Sequence, residues 1–204
     1  MTLQEFDDEI RQKFPVICGV DEAGRGPLAG DVYAAAVVFE PGAVIEGIND
    51  SKKLSQKKRE ELFEKIKQAA KAYCIATASV EEIESLNILH AAMLAMKRAI
   101  EGLGTKVDLA VIDGNKTPDV NCKTFAVVKG DASSQSIAAA SILAKVARDR
   151  YMKELDEKYP EYCFSKHKGY GTKLHYEMLN KYGFSPCHRR SFLKNLEEKH
   201  HDNS

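Results

Sequence analysis

The sequence lacks the features of a membrane or exported protein. Its 204 residues contain no uninterrupted apolar run of the roughly 18 residues needed to cross a bilayer. Four of the first ten residues are acidic, whereas a secretory signal begins with basic and apolar residues. These absences exclude both classes, and we expect the protein to stay in the cytoplasm.

Cysteine is scarce, and its spacing suggests no pairing. The number of cysteines is odd and none of them forms a CxxC pair: Cys18, Cys74, Cys122, Cys163 and Cys187. Disulfide-stapled domains and structural zinc sites both need paired or closely spaced cysteines. Both are therefore excluded, and we expect reduced thiols that are mostly buried.

A net charge of either sign is also missing, since 30 Lys and Arg residues balance 30 Asp and Glu residues. The overall charge therefore does not indicate a partner such as nucleic acid, and that prediction must depend on local clusters. Two stretches, 52–71 and 163–199, are rich in Lys and Arg. Such runs are most often solvated helix faces, so nucleic-acid binding stays open at this point.

The order of predicted helices and strands is typical of an α/β fold. Segments rich in β-branched or aromatic residues predict strands at 16–20, 32–39, 73–78, 108–112 and 124–128. Helical spacing and capping residues predict helices over 56–71, from Ser79 toward Leu86, over 87–101, 134–158 and 172–182, and near Ser191. This order predicts a mixed sheet flanked by helices, followed by a helical tail without strands.

Acidic residues recur where the predicted strands end. Asp21 and Glu22 follow the first strand, Asp113 follows the fourth, and Asp131 lies three residues beyond the fifth. Ligands of open α/β sheets bind outside the carboxyl ends of the strands, so these acids are expected to converge. Carboxylates without His or Cys favour Mg²⁺ or Mn²⁺, and therefore phosphodiester chemistry. Two such ions would support an in-line displacement at phosphorus by water.

A structural role for these acids stays open on the sequence alone. Asp113 precedes Gly114-Asn115, which is typical of a turn, and Asp131 stands where a residue often caps a helix. Glu22 is the less secure side-chain ligand, because neighbouring residues on a strand point to opposite faces. Two adjacent acids leaving an apolar strand nevertheless favour a functional site.

A glycine-rich loop, residues 24–30, follows the first strand. It formally matches the GxGxxA pattern of dinucleotide-binding proteins, but that pattern must open a helix. Here Pro27 and the strand predicted directly afterwards prevent a helix, which argues against a nicotinamide or flavin enzyme. A loop with so little side chain instead lets its backbone approach a sugar-phosphate chain, with Arg25 as a phosphate donor.

Seven blocks of the sequence together resemble one family. They are GVDEAGRGPLAG (19–30), NDSKKLS (49–55), LNILHAAMLAMKRA (86–99), VIDGN (111–115), KGDASSQSIAAASILAKVARDR (129–150), HKGYGT (167–172) and HRRSF (188–192). In content and in order they look like bacterial ribonuclease HII. The blocks cover most of the chain from residue 16 to 192, so the match is far more specific than any single acid or glycine.

The resemblance implies a ribonuclease H-like fold, an α/β architecture with a five-stranded mixed sheet. Residues 1–160 would form the catalytic domain, and residues 161–204 would form a helical region that packs on it and contacts nucleic acid. In this family four acids bind two divalent ions, Mg²⁺ or Mn²⁺. The matching positions here are Asp21, Glu22, Asp113 and Asp131.

The resemblance also implies how the substrate is read. The family recognises the junction between a ribonucleotide and the next deoxyribonucleotide with a GRG loop, here Gly24, Arg25 and Gly26, and a tyrosine, here Tyr170. The 2′-hydroxyl distinguishes RNA from DNA, and a bare backbone approaches it closely enough to exchange hydrogen bonds. Lys52 matches a segment that the family places beside the bound strand, and we expect it to contact a phosphate.

The implied activity is hydrolysis on the 5′ side of a ribonucleotide, leaving a 3′-hydroxyl and a 5′-phosphate. The implied partners are RNA/DNA hybrids and duplex DNA with embedded ribonucleotides; we expect a monomer without membrane contact, and the sequence identifies no replication or repair partner. One alternative is a ribonuclease HIII-like enzyme, although too few residues precede Asp21 for its usual N-terminal domain. The other is a catalytically silent hybrid-binding protein of the same fold.

Some residues inside the matching blocks receive no role. Packing or hydrogen bonding within the tail explains His167, His188, Arg189 and Arg190 at least as well as function does. Asp31 stands where the family frequently has proline or a small residue; an extra acid near Asp21 could perturb metal affinity, but we expect it to face solvent.

Overall fold

The computed structural model describes residues 1–194 and is built around a five-stranded sheet. The strands are β1 (Ile17–Ala23), β2 (Val32–Val38), β3 (Ala72–Ala78), β4 (Leu109–Asp113) and β5 (Lys123–Val127). All five predicted strands are confirmed, with boundaries that shift by at most three residues. β-Branched residues and alanines dominate the central strands because both sheet faces are covered by helices.

The sheet is mixed, and its strand order is β3-β2-β1-β4-β5. β2 pairs antiparallel with β1 and β3, whereas β1, β4 and β5 run parallel. Val20 in β1 stands opposite Ile112 in β4, so the residues that follow them, Asp21 and Asp113, emerge side by side. The parallel half of the sheet thereby brings acids from distant parts of the chain to one edge.

Seven helices surround this sheet in the described part of the chain. They are α1 (Leu3–Arg11), α2 (Gln56–Ala69), α3 (Val80–Leu86), α4 (Ile88–Glu101), α5 (Gln135–Lys158), α6 (Phe164–His167) and α7 (Lys173–Tyr182). Ser55 caps α2, and Ser79 with Glu82 forms the predicted capping box of α3. Gly183 ends α7 with a positive φ of 74°, a conformation that favours glycine.

Two apolar layers hold the helices on the sheet. On one face α4 packs its alanines and Met96 against Val20 and Val32. On the other face α2 and α5 pack against β2, with Leu62 and Leu143 among the buried contacts. Small residues on α5 allow a close approach: a Cβ on Gly19 of β1 would lie 2.0 Å from the α5 backbone. Only glycine is accommodated there.

The sequence patterns missed α1, which buries a carboxylate. Asp7 is fully buried and accepts hydrogen bonds from the Ser134 hydroxyl at 2.6 Å, and from the Ser136 hydroxyl and N–H at 2.7 and 2.9 Å. These residues form the beginning of α5. Asp7 therefore supplies a negative charge to the positive end of the longest helix.

Residues 159–194 pack against the end of α5 and the glycine-rich loop. Tyr162 and Phe164 share a buried cluster with Met152 of α5 and Leu28 of the loop. The predicted helix near Ser191 begins as a single 3-10 turn, Arg190–Phe192, and its continuation past residue 194 lies outside the described residues. Across residues 1–194 no helix has the length and apolar character required to cross a membrane.

The cysteines are unpaired as expected from their spacing, but the expectation that most of them are buried is wrong. All five are free thiols; Cys18 and Cys187 are buried, and the other three are half-buried.

Candidate functional site

A cavity of about 240 Å³ opens where β1 and β4 end. Its walls come from β1 and the glycine-rich loop, the turn after residue 50, the end of β4, α5 and the tail. The lining residues are Asp21, Glu22, Ala23, Gly24, Arg25, Gly26, Ser51, Lys52, Asp113, Ser141, Lys145 and Tyr170. Every residue predicted to act on the substrate is therefore in this lining, except Asp131, which lies beside it.

A larger cavity of about 560 Å³ lies elsewhere, between α1 and β5. Its lining is mostly apolar, and Glu9 is its single acid: Glu9, Ile10, Lys13, Phe14, Leu109, Lys123, Thr124 and Phe125. It offers no group of acids and no glycine-rich backbone, so we place the chemistry in the smaller cavity.

Asp21 and Glu22 are consecutive residues of β1, and both border the cavity. Asp21 is only 5% exposed, and its Oδ1 accepts a 2.7 Å hydrogen bond from the N–H of Glu22. Glu22 is half-buried, and its Oε1 accepts a 3.3 Å hydrogen bond from Nη1 of Arg25. Glu22 borders the cavity although it neighbours Asp21 on the strand, so the alternation of side chains does not remove it from the site.

Asp113 is the last residue of β4, and Asp131 lies in a 3-10 turn that follows β5. Oδ1 of Asp113 accepts a 2.6 Å hydrogen bond from the N–H of Gly130, which joins the ends of the two strands. Asp131 is 5% exposed, and its Oδ2 lies 4.0 Å from Nζ of Lys52. The fold thus brings all four predicted acids to the same edge of the sheet.

These carboxylates destabilise one another's charged forms. Burial raises the pKa of Asp21 well above its usual value, and the charges of Glu22 and Asp113 raise it further. Burial also raises the pKa of Asp131, with further contributions from Asp113 and Asp50. Like charges held this closely favour a cation between them.

The donor set suits a hard divalent cation, because it consists of carboxylates without His or Cys. Among residues 1–194 no three Asp, Glu, His or Cys side chains already enclose one point in the manner of a full ligand cage. Mg²⁺ is commonly held by one or two carboxylates together with waters and substrate phosphates. The site therefore fits ions whose coordination is completed by a bound phosphodiester.

The glycine-rich loop and Tyr170 lie on neighbouring walls of the cavity. A Cβ on Gly26 would lie 3.7 Å from the Tyr170 ring, and the N–H of Leu28 donates to the carbonyl of Gly169 at 2.7 Å. Arg25 and Gly26 are exposed, and Tyr170 is 44% exposed. A bare backbone and an aromatic ring thus face the same space, next to the acids.

Two fully buried arginines hold this loop from behind. Arg189 donates to the carbonyl oxygens of Gly24 (2.6 Å), Arg25 (3.0 Å), Pro27 (2.9 Å) and Gly30 (2.8 Å). Arg148 donates to those of Lys168 (3.0 Å), Ala29 (3.1 Å) and Asp31 (3.2 Å). Both arginines stand in the matching blocks, yet the sequence gives no sign that they are buried.

Lys52 is 83% exposed in the turn Ser51–Lys53, and its ammonium points toward the acids. Burial acts to lower the pKa of Lys52, but the charges of Asp131 and Asp21 outweigh it, so the pKa is raised. Asp50 caps this turn by accepting a 2.9 Å hydrogen bond from the N–H of Lys52. Sequence reasoning singled out the lysine and overlooked Asp50, although both stand in the same block.

Two α5 residues that line the cavity were also overlooked. The hydroxyls of Ser141 and Ser51 lie 2.9 Å apart, and a hydrogen bond from Ser141 acts to lower the pKa of Asp21. Nζ of Lys145 donates to Asp149 at 2.8 Å. Ser141 and Lys145 are four residues apart and share a helix face, a signal that the sequence contained.

Buried histidines support the Tyr170 segment. The N–H of Ser185 donates to Nδ1 of His188 at 3.0 Å, the Nε2 atoms of His188 and His175 lie 3.0 Å apart, and Nδ1 of His175 lies 3.0 Å from the Tyr170 carbonyl. These contacts assign His188 as donor to His175, and His175 as donor to Tyr170, with both rings neutral. Burial lowers the pKa of both imidazoles to about 4.

The structure contradicts the expectation that Asp31 faces solvent. Asp31 is half-buried, and its Oδ1 accepts a 3.1 Å hydrogen bond from the N–H of Val80 at the start of α3. Burial raises its pKa. It borders a different cavity, with Tyr151 and Cys187, so this extra acid serves the packing of α3 rather than the acidic site.

Solved structures with the same architecture define the class of protein. Ribonuclease H2 from Pyrococcus horikoshii OT3 aligns with a TM-score of 0.72 and 28% identity, covering 86% of this chain and 93% of that one. Ribonuclease HII from Archaeoglobus fulgidus, solved in complex with PCNA, gives 0.70 and 28%, with coverages of 85% and 93%. The fold is that of the ribonuclease H-like nucleases, with acids at the strand ends.

Sequence comparison identifies the family within this class. The profile of the ribonuclease HII family matches residues 18–195. Ribonuclease HII from Caldicellulosiruptor bescii is 54% identical over 187 residues, which are 92% of this chain and 91% of that protein. The chain belongs to the ribonuclease HII family. It is a nuclease of the hydrolase class, from a family of metal-dependent enzymes that act on RNA/DNA hybrids.

Proposed function

We propose that this protein cuts the phosphodiester on the 5′ side of a ribonucleotide and leaves a 3′-hydroxyl and a 5′-phosphate. Its substrates would be the RNA strand of hybrids and single ribonucleotides embedded in duplex DNA. The observation that carries the proposal is one cavity that joins buried carboxylates, an exposed glycine-rich backbone and Tyr170. Acids supply the hydrolytic chemistry, and the bare backbone supplies recognition of the sugar.

In this proposal four carboxylates hold two divalent ions, Mg²⁺ or Mn²⁺: Asp21, Glu22, Asp113 and Asp131. The ions would supply activation of a water and stabilisation of the leaving oxygen in an in-line displacement. The protein's part is to fix the carboxylates in place. The hydrogen bonds from Glu22 N–H to Asp21 and from Gly130 N–H to Asp113 hold these two side chains in place.

Recognition of the ribonucleotide is assigned to Gly24, Arg25, Gly26 and Tyr170. An exposed loop backbone can exchange hydrogen bonds with a 2′-hydroxyl, the group that distinguishes RNA from DNA. The Tyr170 ring would pack on the next sugar, where an added hydroxyl would weaken the contact, so a junction with DNA would be preferred to a uniform hybrid. Lys52 stands at the rim with its charge retained, where it would bind a phosphate of the cut strand.

The same proposal assigns nucleic-acid contact to the C-terminal region 161–204 as well as to the catalytic region 1–160. Tyr170 belongs to the former and the acids to the latter, and both border one cavity. We propose that the protein acts as a monomer in the cytoplasm. The Archaeoglobus fulgidus relative was solved with PCNA, which makes a replication clamp the candidate partner to test first.

A cleavage assay tests the proposed function. Three end-labelled duplexes would be incubated with Mg²⁺, Mn²⁺ or EDTA: all DNA, DNA with one ribonucleotide, and a uniform RNA/DNA hybrid. We expect cutting of the second and third substrates with either metal, products that carry a 3′-hydroxyl, and no cutting of plain DNA or in EDTA. Binding of the hybrid without cutting would instead support a catalytically silent protein.

A further inference from the structure

The carbonyl oxygens of the glycine-rich loop point away from the cavity. Those of Gly24, Arg25, Pro27 and Gly30 all accept hydrogen bonds from the single guanidinium of Arg189. Arg189 is fully buried. One planar group with its donors in fixed directions therefore determines the orientation of consecutive peptide units.

The opposite side of the same peptides faces the cavity. Arg25 and Gly26 are exposed while the loop residues on both sides of them are buried. Among the hydrogen bonds of the described residues, none has the N–H of Arg25 or Gly26 as its donor. These two amides are therefore available to a ligand, and their direction follows from the carbonyls that Arg189 holds.

The second buried arginine connects this loop with the Tyr170 segment. Arg148 donates to the carbonyls of Ala29 and Asp31 on one side and to that of Lys168 on the other. Its side chain also fills the space beside Gly24, where a Cβ would lie 2.1 Å from Nε. A change at Arg148 would therefore alter the spacing between the loop and Tyr170.

We propose that Arg189, assisted by Arg148, is a positioning residue that determines how selectively the enzyme recognises a lone ribonucleotide in DNA. The inference rests on the proposed function. A single embedded ribonucleotide offers one 2′-hydroxyl in one register, so its cleavage needs the loop amides and Tyr170 correctly placed. A uniform hybrid offers a 2′-hydroxyl in every register, so it tolerates a displaced loop better.

The test compares two substrates in the same protein sample. For Arg189→Lys and Arg148→Lys, kcat and KM would be measured on single-ribonucleotide duplex and on uniform hybrid. Lysine keeps the positive charge but satisfies fewer carbonyls. We expect kcat/KM on the single ribonucleotide to fall by about tenfold to a hundredfold more than on the hybrid. The ratio between substrates is independent of the folded fraction, so partial unfolding cannot produce this result.

Two controls separate positioning from stability. Met96→Ala makes a cavity under α4, on the other face of the sheet, and should lower the melting temperature while leaving the substrate ratio unchanged. Arg98→Lys alters an arginine that binds the Thr77 carbonyl and Glu82 far from the site, and should leave the substrate ratio unchanged.

An unchanged ratio in both lysine variants would overturn the proposal, and so would failure of both to fold, because the arginines would then be structural only. Wild-type protein that cuts neither substrate would refute the proposed function itself.

Discussion

Asp21 is the most constrained of the acidic residues at the site. It combines near-complete burial with the repulsion of two neighbouring carboxylates, and a hydrogen bond to Glu22 N–H fixes one of its oxygens. A buried group with these neighbours is costly to the fold unless a cation offsets it. Its charge should therefore matter far more to activity than to stability.

Asp21→Asn should lower kcat by about a hundredfold or more, because the amide keeps the shape but loses the charge that holds an ion. The melting temperature should stay equal or rise, since a repulsive charge is removed. The assay is cleavage of a uniform hybrid in Mg²⁺, with thermal unfolding in parallel. Asp31→Asn is the matched control, because the amide oxygen can still accept from Val80 and activity should persist. An active Asp21→Asn enzyme would contradict the assignment of the site.

Lys52→Ala should weaken substrate binding rather than chemistry. The side chain is almost fully exposed at the cavity rim, where it would neutralise one phosphate. We expect KM to rise severalfold, and the slope of log binding constant against log salt to fall by about one. Titrations of a hybrid in EDTA at several salt concentrations measure the slope. Lys97→Ala on α4, which removes an exposed lysine beside Glu101, should leave it unchanged.

At the scale of elements, α5 is the helix that connects the parts of the molecule. Its backbone packs directly against Gly19 of β1. It also carries Ser141 and Lys145 to the cavity and places Arg148 behind the loop. Its beginning is held by Asp7 of α1. The position of the site therefore depends on a residue over a hundred positions earlier in the chain.

Asp7→Ala should destabilise the fold by about 1 to 3 kcal/mol, because it leaves buried hydroxyl and N–H donors of Ser134 and Ser136 without an acceptor. The free energy of unfolding can be measured in urea. Asp8→Ala is the control: Asp8 pairs with Arg11 at the surface, and its loss should cost less than about 1 kcal/mol. Equal effects of the two changes would show that Asp7 does not cap α5.

At the scale of the whole molecule, the fold of the tail depends on neutral histidines that bind to one another and to the Tyr170 carbonyl. His175 and His188 have folded pKa values of about 4, below the usual 6.5, because they are buried. Between about pH 4 and pH 6.5 these histidines are therefore protonated in the unfolded chain but not in the folded chain. The stability that they contribute is fully present above pH 6.5 and is lost as the pH falls toward 4.

Acidification should accordingly lower the free energy of unfolding by on the order of 2 kcal/mol for each histidine between pH 7 and 5. Buried acids such as Asp7 act in the opposite direction, since burial raises their pKa. Variants isolate the histidine contribution. His188→Gln should reduce the number of protons taken up on unfolding by about one, and so reduce the pH dependence of the free energy of unfolding. Replacing the exposed His90 with Gln is the control and should not have this effect. Parallel curves for wild type and His188→Gln would contradict the assignment of neutral rings.

Much of the architecture could be predicted from local patterns. Alternating and β-branched segments predicted five strands, and capping residues such as Ser55 and Ser79 predicted where helices begin, because both depend on interactions within a few residues. The acids at strand ends could be named for the same reason. The sequence patterns did not predict α1, because its apolar face is short. Thr2 and Glu5 nevertheless form a capping box that could have been recognised from the sequence.

The buried charged residues that support the site could not be predicted, because a charged side chain is normally exposed and no local sequence pattern indicates its burial. Arg148 and Arg189 donate to carbonyl oxygens up to 165 positions away in sequence. Asp31 likewise accepts a hydrogen bond from Val80, which lies in a distant segment. The sequence by itself determined which groups this protein has for chemistry and which helices and strands carry them. Only the tertiary structure decided which charges are buried and which peptides they orient, because those depend on contacts between segments far apart in the chain.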